Sequence, residues 1–252
     1  TIEYSVSHNG DLMLDKSVIS MILNDGTYYG RDVRLSGSST RTVSTTIEAE
    51  IYKRKKIADN YNELTLQFKG YNVVFRAYND GIAYRFVSAS KKPFIVADEK
   101  DEFNFPADYK AFINYANKSE TRSLENQFSN SFEQPYDYNL LSEWNKKRLG
   151  INPLVVEGVN GKKVCIAEAD LMNYPGMFLY PGDKGNSLKG IFAPYPKNVE
   201  QGGHNNLQML VRSRENYIAK FDGATSFPWR IIIVSENDAD LADSDMVYKL
   251  AT

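Results

Sequence analysis

Hydrophobic and polar positions alternate along most of the chain. Ile2-Glu3-Tyr4-Ser5-Val6 alternates and runs into Asn9-Gly10-Asp11; Leu12-Met13-Leu14 and Val18 to Leu23 follow, closed by Asn24-Asp25-Gly26. A period of two marks strands with one buried face. Similar β-patterned runs recur from Arg41 to Tyr52, Glu63 to Phe68, Val73 to Val87, Phe94 to Val96 and Asp101 to Phe105. Later runs are Pro153 to Glu157, Phe178 to Tyr180, Leu188 to Ala193, Gln208 to Val211, Tyr217 to Lys220 and Trp229 to Val234. Between Tyr78 and Ile82, Asn79-Asp80-Gly81 predicts a tight hairpin with positive φ. Helical spacing is confined to 238–250, with Leu241, Val247 and Leu250 in register and Asp residues near the start, as suits a helix N-terminus. About fifteen or more strand-like runs therefore precede one short C-terminal helix. No linker composition or repeat divides the chain. This predicts an all-β fold, one large antiparallel two-sheet sandwich over 1–252, with two smaller β-domains as the alternative.

Residues 106–148 break the pattern. They are rich in Tyr, Asn, Ser, Glu and Gln. Short strands are expected there, with one over Ala111 to Tyr115, and a polar excursion around Ser123 to Leu141 that suits either a binding loop or an ordinary surface loop.

The stretch Val164 to Met177 poses the main chemical question. It reads as a buried strand entering a Tyr174-Pro175-Gly176 turn, and it contains Glu168 and Asp170. Strand alternation puts both carboxylates on one face and Cys165, Ala167, Ala169 and Leu171 on the other. A buried carboxylate must be paired, hydrogen-bonded or metal-bound. The plain answer is an Arg or Lys, or a strand edge open to water; two neighbouring carboxylates also suit part of a hard-metal site, since Ca²⁺ takes oxygen ligands.

Composition narrows the function. A net charge of −2 gives no reason to invoke nucleic acid or a membrane surface, and no apolar run is long enough to span a bilayer. The one dense basic run, Lys53-Arg54-Lys55-Lys56, reads as a solvated strand end or hairpin. The single cysteine, Cys165, excludes an internal disulfide and reads as a small buried side chain. The only histidines are His8 and His204, the latter in the polar loop Gly202-Gly203-His204-Asn205-Asn206. Neither lies in an HExxH motif, and no paired-Cys zinc spacing, Gly-rich phosphate loop or G-x-S-x-G elbow occurs. His204 reads first as a solvent-facing loop residue, with catalysis the less favoured alternative. Glu168 and Asp170 on one strand lie too close to flank a glycosidic bond from both sides.

Three segments, in order, carry a family resemblance: Phe75-Arg76-Ala77-Tyr78-Asn79-Asp80-Gly81-Ile82-Ala83-Tyr84-Arg85-Phe86; Ala167-Glu168-Ala169-Asp170-Leu171 with Tyr174-Pro175-Gly176-Met177; and Phe227-Pro228-Trp229-Arg230 with the Asp-rich helix ending Val247-Tyr248-Lys249-Leu250-Ala251. The chain resembles, over essentially its whole length, the N-terminal domain of glycoside hydrolase family 97, the α-glucosidases and α-galactosidases of Bacteroidetes. The resemblance implies a galactose-mutarotase-like super-β-sandwich packed on a (β/α)₈ barrel of the same polypeptide, with 238–250 leading toward that barrel. It implies an exo-acting, calcium-dependent hydrolysis of α-linked oligosaccharides in the periplasm or outside the cell. The catalytic carboxylates and most calcium ligands would lie beyond Thr252, so no catalytic residue is assigned within this chain. Glu168 alone matches a metal position. It is expected to point out of the sandwich toward the absent domain, meeting water in this chain, while Asp170 is expected to cap a turn or pair with a basic residue. One or two carboxylates leave most of a calcium shell to water, so weak or no calcium binding is expected of this chain alone. Two alternatives stay open. One is a stand-alone carbohydrate-binding module using a surface Tyr or Trp144; the other is an aldose-epimerase-like enzyme dependent on His204.

Overall fold

A computed structural model describes residues 1–117, 123–129 and 132–251. The β-patterned runs form strands almost throughout. In chain order these begin with β1 (Ile2–His8), β2 (Asp11–Leu23), β3 (Tyr28–Tyr29), β4 (Gly37–Glu48), β5 (Lys56–Phe68), β6 (Tyr71–Tyr78) and β7 (Gly81–Ser88). They continue with β8 (Phe94–Asn104), β9 (Lys110–Asn114), β10 (Tyr136–Leu140), β11 (Gly150–Ile151), β12 (Leu154–Glu157), β13 (Lys163–Ala169) and β14 (Met177–Pro181). The last are β15 (Ser187–Phe192), β16 (Pro196–Gly202), β17 (Gln208–Arg214), β18 (Ala219–Phe221), β19 (Thr225–Ser226) and β20 (Trp229–Ser235). The two early runs at 12–14 and 18–23 are one long strand, β2. The predicted terminal helix is two short ones, α1 (Asp238–Asp243) and α2 (Met246–Leu250). Asn237 caps α1, its Oδ1 accepting the Asp240 amide at 2.9 Å. No helix among the described residues is long and apolar enough to cross a membrane.

Two antiparallel sheets face each other. One runs β1-β2-β8-β15-β14-β11; the other runs β10-β9-β12-β13-β20-β7-β6-β5-β4. Their inner faces share one continuous core that reaches from Ile2 and Leu14 through Tyr84, Phe103 and Ile166 to Val234. On β13 and β20 the even-numbered residues Val164, Ile166, Ile232 and Val234 enter this core. The odd-numbered Cys165, Ala167, Ile231 and Ile233 turn to the outer face, where Met246 and Leu250 of α2 cover them. Cys165 is buried there, which pushes its thiol up to about 12; it is an inert packing side chain.

The seat of α2 explains Gly81. This residue has φ of +150°, and a Cβ on it would meet the Ile232 carbonyl oxygen at 2.2 Å and the Met246 sulfur at 2.9 Å. The turn before it, Asn79-Asp80, has two residues, and the positive φ of this hairpin falls on Gly81.

The basic run is a hairpin tip, as its composition suggests, but it is engaged. Lys53 and Arg54 reach Asp243 and Asp245 between the two helices, and Tyr52 stacks on Tyr248 with ring centroids 4.1 Å apart. The segment 106–148 contains the short strands β9 and β10. Part of its predicted polar excursion, residues 130–131, lies outside the described residues.

Candidate functional site

Glu168 is the last inward-facing residue of β13, directly opposite Arg230 on β20. It points into the sandwich rather than out of it, contrary to the expectation from the sequence. Even positions of β13 face the core, and Glu168 keeps that parity. Arg230 meets it, donating from Nη1 to Glu168 Oε2 at 2.7 Å. The Met177 amide donates to both carboxylate oxygens at 3.1 and 3.2 Å, and Asn152 Nδ2 reaches Oε1 at 3.3 Å. These donors hold the carboxylate at one end of the sandwich, with its side chain 11% exposed. Burial pushes its pKa up and Arg230 offsets only part of that.

Arg230 joins the two sheets. Its Nε and Nη2 fork onto Glu99 of β8 at 3.1 and 2.9 Å, and Asp101 Oδ2 lies 3.4 Å from Nε. Tyr84 donates to Asp101 Oδ1 at 2.7 Å. One guanidinium thus faces three carboxylates. Desolvation and the neighbouring Glu99 drive the pKa of Asp101 well up, whereas Glu99, penalised by burial, is held below the usual range by Arg230. The bidentate Glu99 already answers the charge of Arg230. Glu168, nearest to solvent of the three, takes the remaining Nη1 of Arg230.

Asp170 does not share the face of Glu168. The strand ends at Ala169, and Asp170 adopts φ of +57°. This left-handed residue breaks the alternation, and the Asp170 carboxylate accepts from Arg85 Nη1 at 3.2 Å. Of the two roles expected for it, capping a turn or pairing with a basic residue, this is the second. Arg85 in turn lies 4.3 Å over the Trp229 ring on the outer face, with Arg76 at 4.7 Å over the same ring. Arg76 also binds Glu63, which Arg41 holds from the other side. This row of Arg41, Glu63, Arg76, Trp229 and Arg85 escaped sequence reading because it joins β4, β5, β6, β7 and β20.

The remaining candidates separate. His8 Nε2 sits 3.0 Å from Glu236 on the surface, while His204 is exposed in the turn joining β16 to β17. Trp144 is not a surface platform. It is buried, packed edge-on to Tyr115, and its Nε1 donates to the Arg148 carbonyl at 3.0 Å. Among the described residues, no group of three or more His, Cys, Asp or Glu is placed to hold a metal ion. A calcium ion takes about six to eight oxygen ligands, of which one carboxylate supplies one or two. What Glu168 presents is one oriented carboxylate with an exposed edge. Beside it, the turn 173–176 lines a cavity of about 1110 Å³ whose walls include Phe94, Phe178 and Phe221.

An antiparallel two-sheet sandwich of this size places the chain in the class of large all-β sandwich domains. The chain belongs to the family described as glycosyl-hydrolase 97 N-terminal, whose sequence model matches residues 1–252. It is 47% identical over 250 residues to a retaining alpha-galactosidase of Bacteroides thetaiotaomicron, a match covering 99% of this chain and 38% of that protein. Among solved structures it resembles a glycoside hydrolase family 97 enzyme from Pseudoalteromonas sp. strain K8 in complex with acarbose, with TM-score 0.77, 19% identity, and coverage of 99% of this chain and 35% of that one. It also resembles a beta-arabinopyranosidase, with TM-score 0.72, 23% identity, and coverage of 93% and 36%. The chain thus spans little more than a third of the length of these longer relatives.

Proposed function

We propose that this chain is the non-catalytic N-terminal domain of a calcium-dependent, exo-acting α-glycosidase, packing on a catalytic (β/α)₈ barrel of the same polypeptide. The observation that carries this reading is the match of the whole chain to the N-terminal family, while the larger part of the retaining alpha-galactosidase lies outside the match. Catalysis then belongs to the longer polypeptide, and a periplasmic or secreted location goes with the reading.

In this reading Glu168 supplies one ligand to a calcium site shared with the barrel. A bound calcium would act there as a Lewis acid near the substrate's oxygens. What this chain contributes is orientation. The Met177 amide and Asn152 aim the Glu168 carboxylate, and Arg230, anchored across the sheets by Glu99, limits its movement. In the longer polypeptide, Glu168→Gln should weaken calcium affinity, read by calorimetry, as well as turnover. Unchanged affinity would leave Glu168 a purely structural partner of Arg230.

The central test is turnover of a p-nitrophenyl α-glycoside. The longer polypeptide should hydrolyse it and the 252-residue chain should not; hydrolysis by the chain alone would overturn the assignment. A second reading, a sugar-binding surface, draws on one observation. Phe112 of β9 and Tyr138 of the edge strand β10 stack at 4.6 Å on the outer face, both exposed. Calorimetry with α-linked oligosaccharides, on the chain and on its Tyr138→Ala variant, tests it; saturable binding lost in the variant would support it.

A further inference from the structure

We infer that the ribbon β16–β17 and the turn 171–176 together form the surface on which the rest of the polypeptide docks. The inference rests on the N-terminal-domain reading above and assigns that domain a contact face. Among the described residues the ribbon belongs to neither large sheet, and its two strands pair only with each other. A lone two-stranded ribbon is at best marginally stable in water. The register Val199↔Val211 and Gln201↔Met209 puts Val199, Val211 and Met209 on one side. Met209 is 64% exposed, and Leu207 at the tip is 80% exposed. Side chains this apolar and this exposed, on a ribbon outside both sheets, form an apolar projection.

A second apolar element stands beside it. Directly after β13, Leu171 is exposed and Met172 is 69% exposed, although their backbone is fixed by the Met172 amide bonding the Asp170 carbonyl at 3.0 Å. The turn and the ribbon share one cavity. Its walls take Asn173, Pro175 and Gly176 from the turn, and Tyr195, Pro196 and Arg214 from the base of the ribbon. The Glu168 carboxylate lies at the same turn, where it accepts the Met177 amide. The base of the ribbon, the turn, the cavity and the Glu168 carboxylate thus meet at one end of the sandwich. The occupant is the remainder of the polypeptide, which in the retaining alpha-galactosidase exceeds this chain in length.

Amide hydrogen exchange on the 252-residue chain and on the longer polypeptide tests this assignment. Exchange in 171–176 and 196–214 should slow at least about tenfold in the longer polypeptide. The double substitution Leu207→Asp with Met209→Asp, at exposed positions that leave the sandwich core intact, should return both segments to the rates of the shorter chain. Slowed exchange confined to other surfaces, with the ribbon unchanged, would overturn the contact face and leave the N-terminal-domain reading standing. Identical exchange everywhere would sink that reading as well. Protection of the ribbon in the 252-residue chain that grows with its concentration would make a second copy the occupant and overturn the inference.

Discussion

A guanidinium that is 1% exposed must have its charge answered inside the protein, and Arg230 finds Glu99, Asp101 and Glu168 around it. Removing one partner of such a cluster strands the others. Arg230→Met should therefore cost about 3–5 kcal/mol, read from urea unfolding; a loss below 1 kcal/mol would show that the carboxylates re-protonate at little cost. A second prediction concerns Glu63. Burial raises its pKa, but Arg41 and Arg76 outweigh that and hold it below the ordinary carboxylate value. A depressed acid adds stability that is present above its unfolded pKa and lost as pH falls through the folded one. Unfolding midpoints should therefore fall with acidification, and Glu63→Gln should flatten that part of the profile. At this scale the sequence was half legible. The need for a partner at Glu168 followed from burial, and Arg was a named candidate. The inward direction of Glu168 follows from the even parity of β13 rather than from the resemblance, and Asp170 leaves that face because the strand ends at Ala169 and Asp170 turns left-handed. The only hint lay in residue type, since Asp tolerates the left-handed conformation better than most.

Among the elements, the hairpin β6–β7 and the helix α2 depend on each other through Gly81. Gly81→Ala should cost at least about 2 kcal/mol, because a methyl group there collides with backbone and with Met246. Chemical denaturation checks this, and a near-neutral result would mean that α2 can lift away freely. The tip of β4–β5 grips the same helix pair from outside. Tyr52→Ala with Arg54→Ala should leave global stability nearly unchanged, since the Arg54 end of each pair is open to solvent. Limited proteolysis around 244–251 should nonetheless speed up. Strand existence was legible from alternation, even for short β9. The grip of the basic run on the helices was not, since nearly two hundred residues separate Lys53 from Asp243 and no local pattern records such a contact.

For the whole molecule, the core is continuous from Ile2 to Val234 across both sheets. Urea unfolding followed by tryptophan fluorescence and by far-UV circular dichroism should therefore give one coincident transition; two separated transitions would favour two smaller β-domains. The all-β class and the sandwich were legible because periodicity and turn residues repeat along the chain. Which strands pair was not, because β8 bridges β2, β15 and β18 from distant parts of the sequence.

The grip on the last helix also has a mechanical meaning. The chain leaves the sandwich through α2, whose Met246 and Leu250 are embedded over β13 and β20 while Asp243 and Asp245 are tethered to the β4–β5 tip. Tension applied at the carboxyl end reaches these tethers before it reaches any sheet hydrogen bond. Drawn in an optical trap, the molecule should yield first by a short, reversible peeling of the final helix, ahead of the long extension that marks rupture of the sheets.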